Sequence, residues 1–191
     1  MLKRTLATTN EIHDQELIDQ VKHGDQAAFG ELVRRYESVV AATVNGMLGV
    51  GDDADDVGQN VFIRFYRAID DFRGDAALGT YLTRIAINLS LNELKSRKRR
   101  RMFFVNTDDD EGLAAFGDTL DESGQRDTRE LVHQALQKLE PKFRSVAVLR
   151  MLQGYSTRET SQILKVPQGT VLSRLSRAQE KLKDLLKNII E

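Results

Sequence analysis

The chain has 191 residues, 40% of them hydrophobic and 30% charged, with a formal net charge of -1; this is a globular composition, long enough for one domain or two small ones. It contains no cysteine, which excludes disulfides and thiolate metal sites, and no apolar run of bilayer-spanning length, so no membrane insertion is expected. The stretch Met1 to Asn10 lacks the apolar centre of a signal peptide, and a cytoplasmic location is expected.

Few runs look like strands, and the apolar residues recur at helical spacing, so an all-α fold is expected. Asp14 is expected to cap a first helix, with Leu17, Ile18 and Val21 inward and Gly24 at its end. Asp25 caps a second helix carrying Phe29, Leu32, Val33, Tyr36, Val39 and Val40, which runs out between Gly46 and Gly51. Asp52 and Asp53 start a third, with Val57, Val61, Phe65 and Ile69 at four-residue steps. Phe72-Arg73-Gly74-Asp75 reads as a loop. A fourth helix turns Leu82, Ile85, Ala86 and Leu89 inward and runs into Lys95 to Arg101.

Periodicity is then lost. Residues 106 to 126 hold Asp108, Asp109, Asp110 and Glu111 and little that could form a core, as in a flexible acidic linker. Asp127 with Glu130 is a capping-box signature for a helix bearing Leu131, Val132, Ala135, Leu136 and Leu139 and stopping at Pro141. Phe143, Val146, Ala147 and Leu149 make the next helix, with Gly154 as its stop. Ser156 and Glu159 form another capping box, and Ile163 and Leu164 make that short helix apolar on one side. Pro167 breaks it and suits the first position of a last helix. There Val171, Leu175, Ala178, Leu182 and Leu185 form one buried stripe, while Thr170, Ser173, Arg174, Arg177 and Lys181 fall on other faces. This is a helix-turn-helix whose second helix offers hydroxyls and guanidiniums to a groove; an ordinary helical hairpin with a solvated basic face is the plainer reading.

The architecture expected is two helical domains, at 10–101 and 129–191, joined by a flexible acidic linker at 102–128. Charge follows the same division: residues 1–101 carry 15 basic and 15 acidic side chains, 102–128 carry 1 and 8, and 129–191 carry 12 and 6. The near-neutral total argues against nucleic acid, whereas the distribution argues for it.

Chemistry points the same way. Lys95, Arg97, Lys98, Arg99, Arg100 and Arg101 crowd one helix end, either as a solvated terminus or as a contact to nucleic-acid backbone. Asn88 and Asn92 beside them can bond to base edges or phosphates. Upstream, Phe72 can stack on an unpaired base and Arg73 can stack or pair with phosphate; alternatively Phe72 pins its loop from the core. Asp52, Asp53, Asp55 and Asp56 lack the spacing of a calcium loop and suit a helix N-terminus, with an exposed face, shared with Gln59, that could dock on a basic partner. His13, His23 and His133 are isolated. No catalytic constellation, metal site or cofactor motif is found, so a non-enzymatic role without cofactors is expected.

These residues resemble the extracytoplasmic-function, or group IV, bacterial sigma factors. The resemblance rests on five blocks in order: Gly24-Asp25 with Ala28-Phe29 and Arg35-Tyr36; Asp53-Ala54-Asp55-Asp56-Val57 with Gln59, Val61 and Phe62; Phe72-Arg73-Gly74 with Tyr81-Leu82, Arg84-Ile85-Ala86 and Asn88; Ala135-Leu136 with Leu139, Arg144, Val146 and Leu149; and Gly169-Thr170-Val171 with Ser173-Arg174-Leu175 and Arg177-Ala178. It implies a transcription initiation factor that binds core RNA polymerase and promoter DNA and is regulated by an anti-sigma factor. By resemblance, sigma region 2 docks on polymerase through Asp56, Gln59 and Phe62. The same domain melts the minus-ten element near Phe72, Arg73, Arg84, Asn88 and Asn92. Sigma region 4 reads the minus-thirty-five element through Gln168, Thr170, Ser173, Arg174 and Arg177. The chain departs from the family pattern at Gly58, Tyr81, Leu172 and Gln179. A stand-alone helix-turn-helix regulator, dimeric on a palindrome, and a sigma-like adaptor that does not bind DNA are the other readings.

Overall fold

The computed structural model describes residues 13–105 and 128–190, and among them there are helices and turns but no strand. The acidic linker expected at 106–126 and the Asp127 cap lie outside the described residues. Helix α1 (13–22) differs from expectation at Asp14, which sits inside the helix rather than capping it. Its carboxylate is 3% exposed, accepting from Arg35 Nη1 at 2.6 Å and from the Tyr36 hydroxyl. A buried carboxylate needs such partners, and these fasten α1 to the next helix. Nothing local to Asp14 in the sequence announces residues arriving from another helix. Gly24 (φ +94°) then turns the chain, and Asp25 Oδ1 accepts from the amides of Ala27 (2.8 Å) and Ala28 (3.2 Å), a side-chain N-cap.

Helix α2 (Gln26–Leu48) buries Leu32, Val40, Val44 and Met47 and ends at Gly49 (φ +83°). Helix α3 (Asp52–Arg67) gathers Asp52, Asp53 and Asp55 in its first turn, where the helix dipole favours them, and buries Ala54, Val57, Val61 and Phe65. Helix α4 (Leu78–Val105) continues past Arg101. Helix α5 (Thr128–Lys138) is followed by α6 (Pro141–Ala147), which winds without a break into a π-helical turn (Val148–Leu152) before Gly154 (φ +73°) reverses the chain. Helix α7 (Thr157–Leu164) carries the expected capping box in both directions: Glu159 N donates to Ser156 Oγ at 3.2 Å, and Ser156 N to Glu159 Oε2 at 2.8 Å. Lys165 adopts the left-handed conformation (φ +53°), and α8 (Gln168–Ile190) begins one residue after Pro167, whose carbonyl accepts from Thr170 and Val171. On α8 the apolar stripe is as expected, with Val171, Ala178 and Leu182 buried and Leu175 and Leu185 half-buried.

The core falls into two clusters. The smaller joins α5, α6 and α8 through Ala135, Leu136, Leu139, Phe143, Ala147, Ala178 and Leu182. The larger joins α1 to α4, and Val148, Leu149 and Ile163 from the second half of the chain enter it as well. This explains where the expected α4 face falls short. Leu82 and Ala86 are buried as expected, but so are Thr83, Ile87 and Ser90, at 0% exposure. A helix with neighbours on two sides has no single apolar stripe to read. Among the described residues, no helix is long and apolar enough to cross a membrane.

Candidate nucleic-acid and polymerase interfaces

Phe72 does not stand at an exposed loop tip. Its ring is 9% exposed and packs edge-on against Phe65 (centroids 5.9 Å) and Tyr81 (5.1 Å). The loop is short and Gly74 (φ +73°) turns it back sharply, so the aromatic side chain falls inward onto the core. Phe72 does line a concave pocket of about 560 Å³, together with Asp71, Arg73, Asp75, Thr80, Tyr81 and Arg84. The Arg84 guanidinium lies 5.2 Å from the Tyr81 ring centroid, a cation–π contact that holds the cation at the rim. Arg73, Asn88 and Asn92 are exposed. Because Arg84, Asn88 and Asn92 recur every four residues on α4, they line one face, and exposed Lys95 and Arg99 extend the row.

The basic run is less uniform than the sequence suggests. Arg97 pairs with Asp53 at 2.8 Å and with Glu93 at 3.4 Å, and Arg100 pairs with Glu93 at 2.7 Å. Arg97 therefore ties α4 to the start of α3, while Lys95, Lys98 and Arg99 point outward from the same helix.

On α3, Asp56 and Gln59 are exposed and Phe62 is half-buried against the core. Asp56, Gln59, Ile63 and Tyr66 share one side of the helix. Ile63 (45% exposed) and Tyr66 (48%) are large apolar neighbours of Asp56 and Gln59 that sequence reasoning missed. The available signal was that both fall outside the Val57-Val61-Phe65 register. Together they make an acidic-to-apolar strip.

In the helix-turn-helix, Gln168, Ser173 and Arg177 are exposed and Thr170 and Arg174 half-buried. Ser173 Oγ donates to the Thr170 carbonyl at 3.1 Å. Thr170, Ser173, Arg174 and Arg177 share one side of the first turns of α8, with Thr170 and Arg174 at its border with buried Val171 and Ala178. Leu172, on another side of the helix, is 55% exposed. The presenting geometry is fixed from α7, whose Glu159 carboxyl is held below the usual carboxylate range by its hydrogen bonds with Ser156. That depressed value means the box stabilises the fold above the unfolded-state pKa and loses its contribution as pH falls through the folded one. Among the described residues, no group of three or more His, Asp or Glu side chains is placed to hold a metal ion.

Known families match both halves of the chain. The Sigma-70 region 2 family matches residues 32–100, and the Sigma-70 region 4 family matches 129–182. The RNA polymerase sigma-H factor of Pseudomonas aeruginosa is 36% identical over 186 residues, covering 93% of this chain and 95% of its own. The ECF RNA polymerase sigma-E factor of Escherichia coli K12 is 35% identical over 189 residues, covering 95% and 98%. Among solved structures, CnrH in complex with the cytosolic domain of CnrY is 28% identical with a TM-score of 0.65, covering 92% of this chain and 97% of that one. The sigma factor RpoE of Bartonella quintana, in complex with the anti-sigma factor NepR, shares the fold at 22% identity and a TM-score of 0.66, covering 83% and 96%. A likeness that runs through both domains is not that of a stand-alone helix-turn-helix regulator. The chain belongs to the extracytoplasmic-function sigma factors, transcription initiation factors that bind core RNA polymerase and promoter DNA.

Proposed function

We propose that this sigma factor divides promoter recognition between two surfaces. Region 2, over residues 10–101, docks on polymerase through Asp56, Gln59 and Phe62, with Ile63 and Tyr66 completing the strip. It melts the minus-ten element with Phe72, Arg73 and Arg84 at the pocket and with Asn88 and Asn92 further along α4. Region 4, over 129–191, reads the minus-thirty-five element through Gln168, Thr170, Ser173, Arg174 and Arg177, and residues 102–128 tether the two. The factor works in the cytoplasm, has no catalytic activity or cofactor of its own, and is held inactive by an anti-sigma factor, as the complexes of its structural relatives suggest. The observation that carries this reading is the pairing of a pocket lined by Phe72, Arg73, Tyr81 and Arg84, from which exposed Asn88 and Asn92 continue along α4, with a separate polar and cationic face on α8.

Duplex binding tests it. Arg174→Ala or Arg177→Ala is expected to weaken minus-thirty-five binding by about 1–3 kcal/mol and to relax specificity at one position if the contact is to a base edge. A loss equal on all sequences, with a salt slope smaller by about 1, would mean a phosphate contact instead. Undiminished binding by both arginine variants would remove α8 as the reading helix.

A further inference from the structure

Beside the middle of α8, Glu140 sits between two lysines. Its carboxylate oxygens are divided between them: Oε2 lies 2.8 Å from Lys142 Nζ, and Oε1 accepts from Lys181 Nζ at 3.0 Å. Glu140 opens α6 ahead of Pro141, but its side chain makes no capping bond to that helix. Both ammonium groups also lie over the Phe143 ring, 4.8 and 4.9 Å from its centroid, within cation–π range. The three charged side chains are about half exposed, whereas Phe143 is buried. Hydrogen bonds from Lys142 and then Lys181 hold the Glu140 carboxyl below the usual carboxylate range.

These ion pairs are not what keeps α8 in place. Exposed pairs hold a helix only weakly, and α8 already packs on α6 through Phe143, Ala147, Ala178 and Leu182. What the pairs do fix is where two cations stand relative to the reading face. Lys181 lies four residues beyond Arg177 and seven beyond Arg174, so it continues their side of α8. From Thr170 to Lys181 the helix rises about 16 Å, more than the major groove's width of about 12 Å. With the first turns of α8 at the base edges, Lys181 comes to the wall of the groove, where the phosphates are.

We infer that Lys142 and Lys181 form a binding site for one backbone phosphate of the minus-thirty-five duplex, and that the Glu140 carboxylate fills this site in the free protein as an internal stand-in. This rests on the reading of α8 as the recognition helix. A carboxylate and a phosphodiester each carry one negative charge over two oxygens, which suits the same pair of ammonium groups. Lysine is a point charge on a flexible stem with three rotatable donors. Both amines can therefore turn from the carboxylate to a phosphate while the Phe143 ring keeps them near. Glu140 then remains beside the bound phosphate as a like charge, which lowers affinity. Phosphate contacts carry no sequence information, so Glu140 restrains binding to all duplexes alike and leaves discrimination to the residues at the base edges.

A salt titration of duplex binding by the full-length protein tests this. One duplex spans the minus-thirty-five region of a mapped start site, and the other is its scrambled counterpart. Lys181→Ala should weaken binding to both equally and make the dependence of log K on log salt shallower by about 1. Lys181→Arg should keep the wild-type slope. Glu140→Gln should do the opposite of Lys181→Ala, tightening binding to both duplexes and steepening the slope by about 1. In the Lys181→Ala background the same change should gain less, because one of the two amines it releases is gone. Matching Tm values would confirm that these half-exposed positions leave the fold intact. Weakening by both Lys181→Ala and Glu140→Gln would make the pair a brace for α8. A Lys181→Ala loss confined to one sequence would make Lys181 a base contact. A Glu140→Gln gain undiminished without Lys181 would mean that the carboxylate acts only at a distance. Each of these overturns the site. Arg174→Ala and Arg177→Ala on the same duplexes separate the underlying reading: undiminished binding by both removes α8 as the reading helix, while the opposite signs at Lys181 and Glu140 still decide the phosphate site.

Discussion

A chain carrying Asp56→Arg and Gln59→Ala is expected to fold as the wild type does and to be lost from core RNA polymerase. Both side chains are exposed on α3, opposite the buried Ala54, Val57, Val61 and Phe65. Substitutions at such positions usually stay within about 0.5 kcal/mol of neutral. The effect on binding is of another size. A reversed charge facing a cationic partner costs several kcal/mol in like-charge contact. Truncating a central interface residue adds about 2 kcal/mol where that residue is a hot spot. Helicity and Tm should therefore match the wild type while co-purification with polymerase fails. Phe62 is the wrong residue for this test, because it also packs on the core. Retention of the double variant on polymerase, with its melting unchanged, would move the docking face elsewhere.

Phe72→Ala should do two things that the assay must separate. Phe72 is buried in an aromatic group with Phe65 and Tyr81. Large-to-small truncation of such a ring costs about 3–5 kcal/mol of stability. A strand-opening defect in Phe72→Ala alone would say only that the domain had loosened. Phe72→Leu keeps most of the volume and should cost less than about 1.5 kcal/mol, in the range of tolerated hydrophobic swaps. If the ring matters as the floor on which an unpaired base rests, Phe72→Leu should still form the closed promoter complex and open it slowly, followed with a fluorescent base in the minus-ten element. Opening at the wild-type rate by a stably folded Phe72→Leu would make Phe72 a packing residue and nothing more.

Local order was legible in the sequence to the extent that it is locally caused. Asp25 caps α2 through its own next residues, Ser156 and Glu159 close their box within one turn, and Val57, Val61 and Phe65 recur at four-residue steps along the one buried side of α3. What escaped was long-range. Asp14 is satisfied by Arg35 and Tyr36 from another helix, so it read as a cap. Thr83, Ile87 and Ser90 are buried because α4 is packed on two sides, one of them by the second domain. Phe72 falls inward because its loop turns back at Gly74, a backbone path that composition does not reveal. The recognition helix was the most readable candidate site, since its outward residues are fixed by one buried stripe. The exposed strip on α3 was only half read, because Ile63 and Tyr66 carry no polar signature.

Run-off transcription with purified core RNA polymerase on genomic fragments, with and without this protein, bears most directly on the central claim that two DNA-reading surfaces act together on one polymerase. New start sites should appear only with the protein present, each preceded by shared sequence at both the minus-ten and minus-thirty-five positions. No association with core enzyme, and no start site that depends on the added protein, would contradict it.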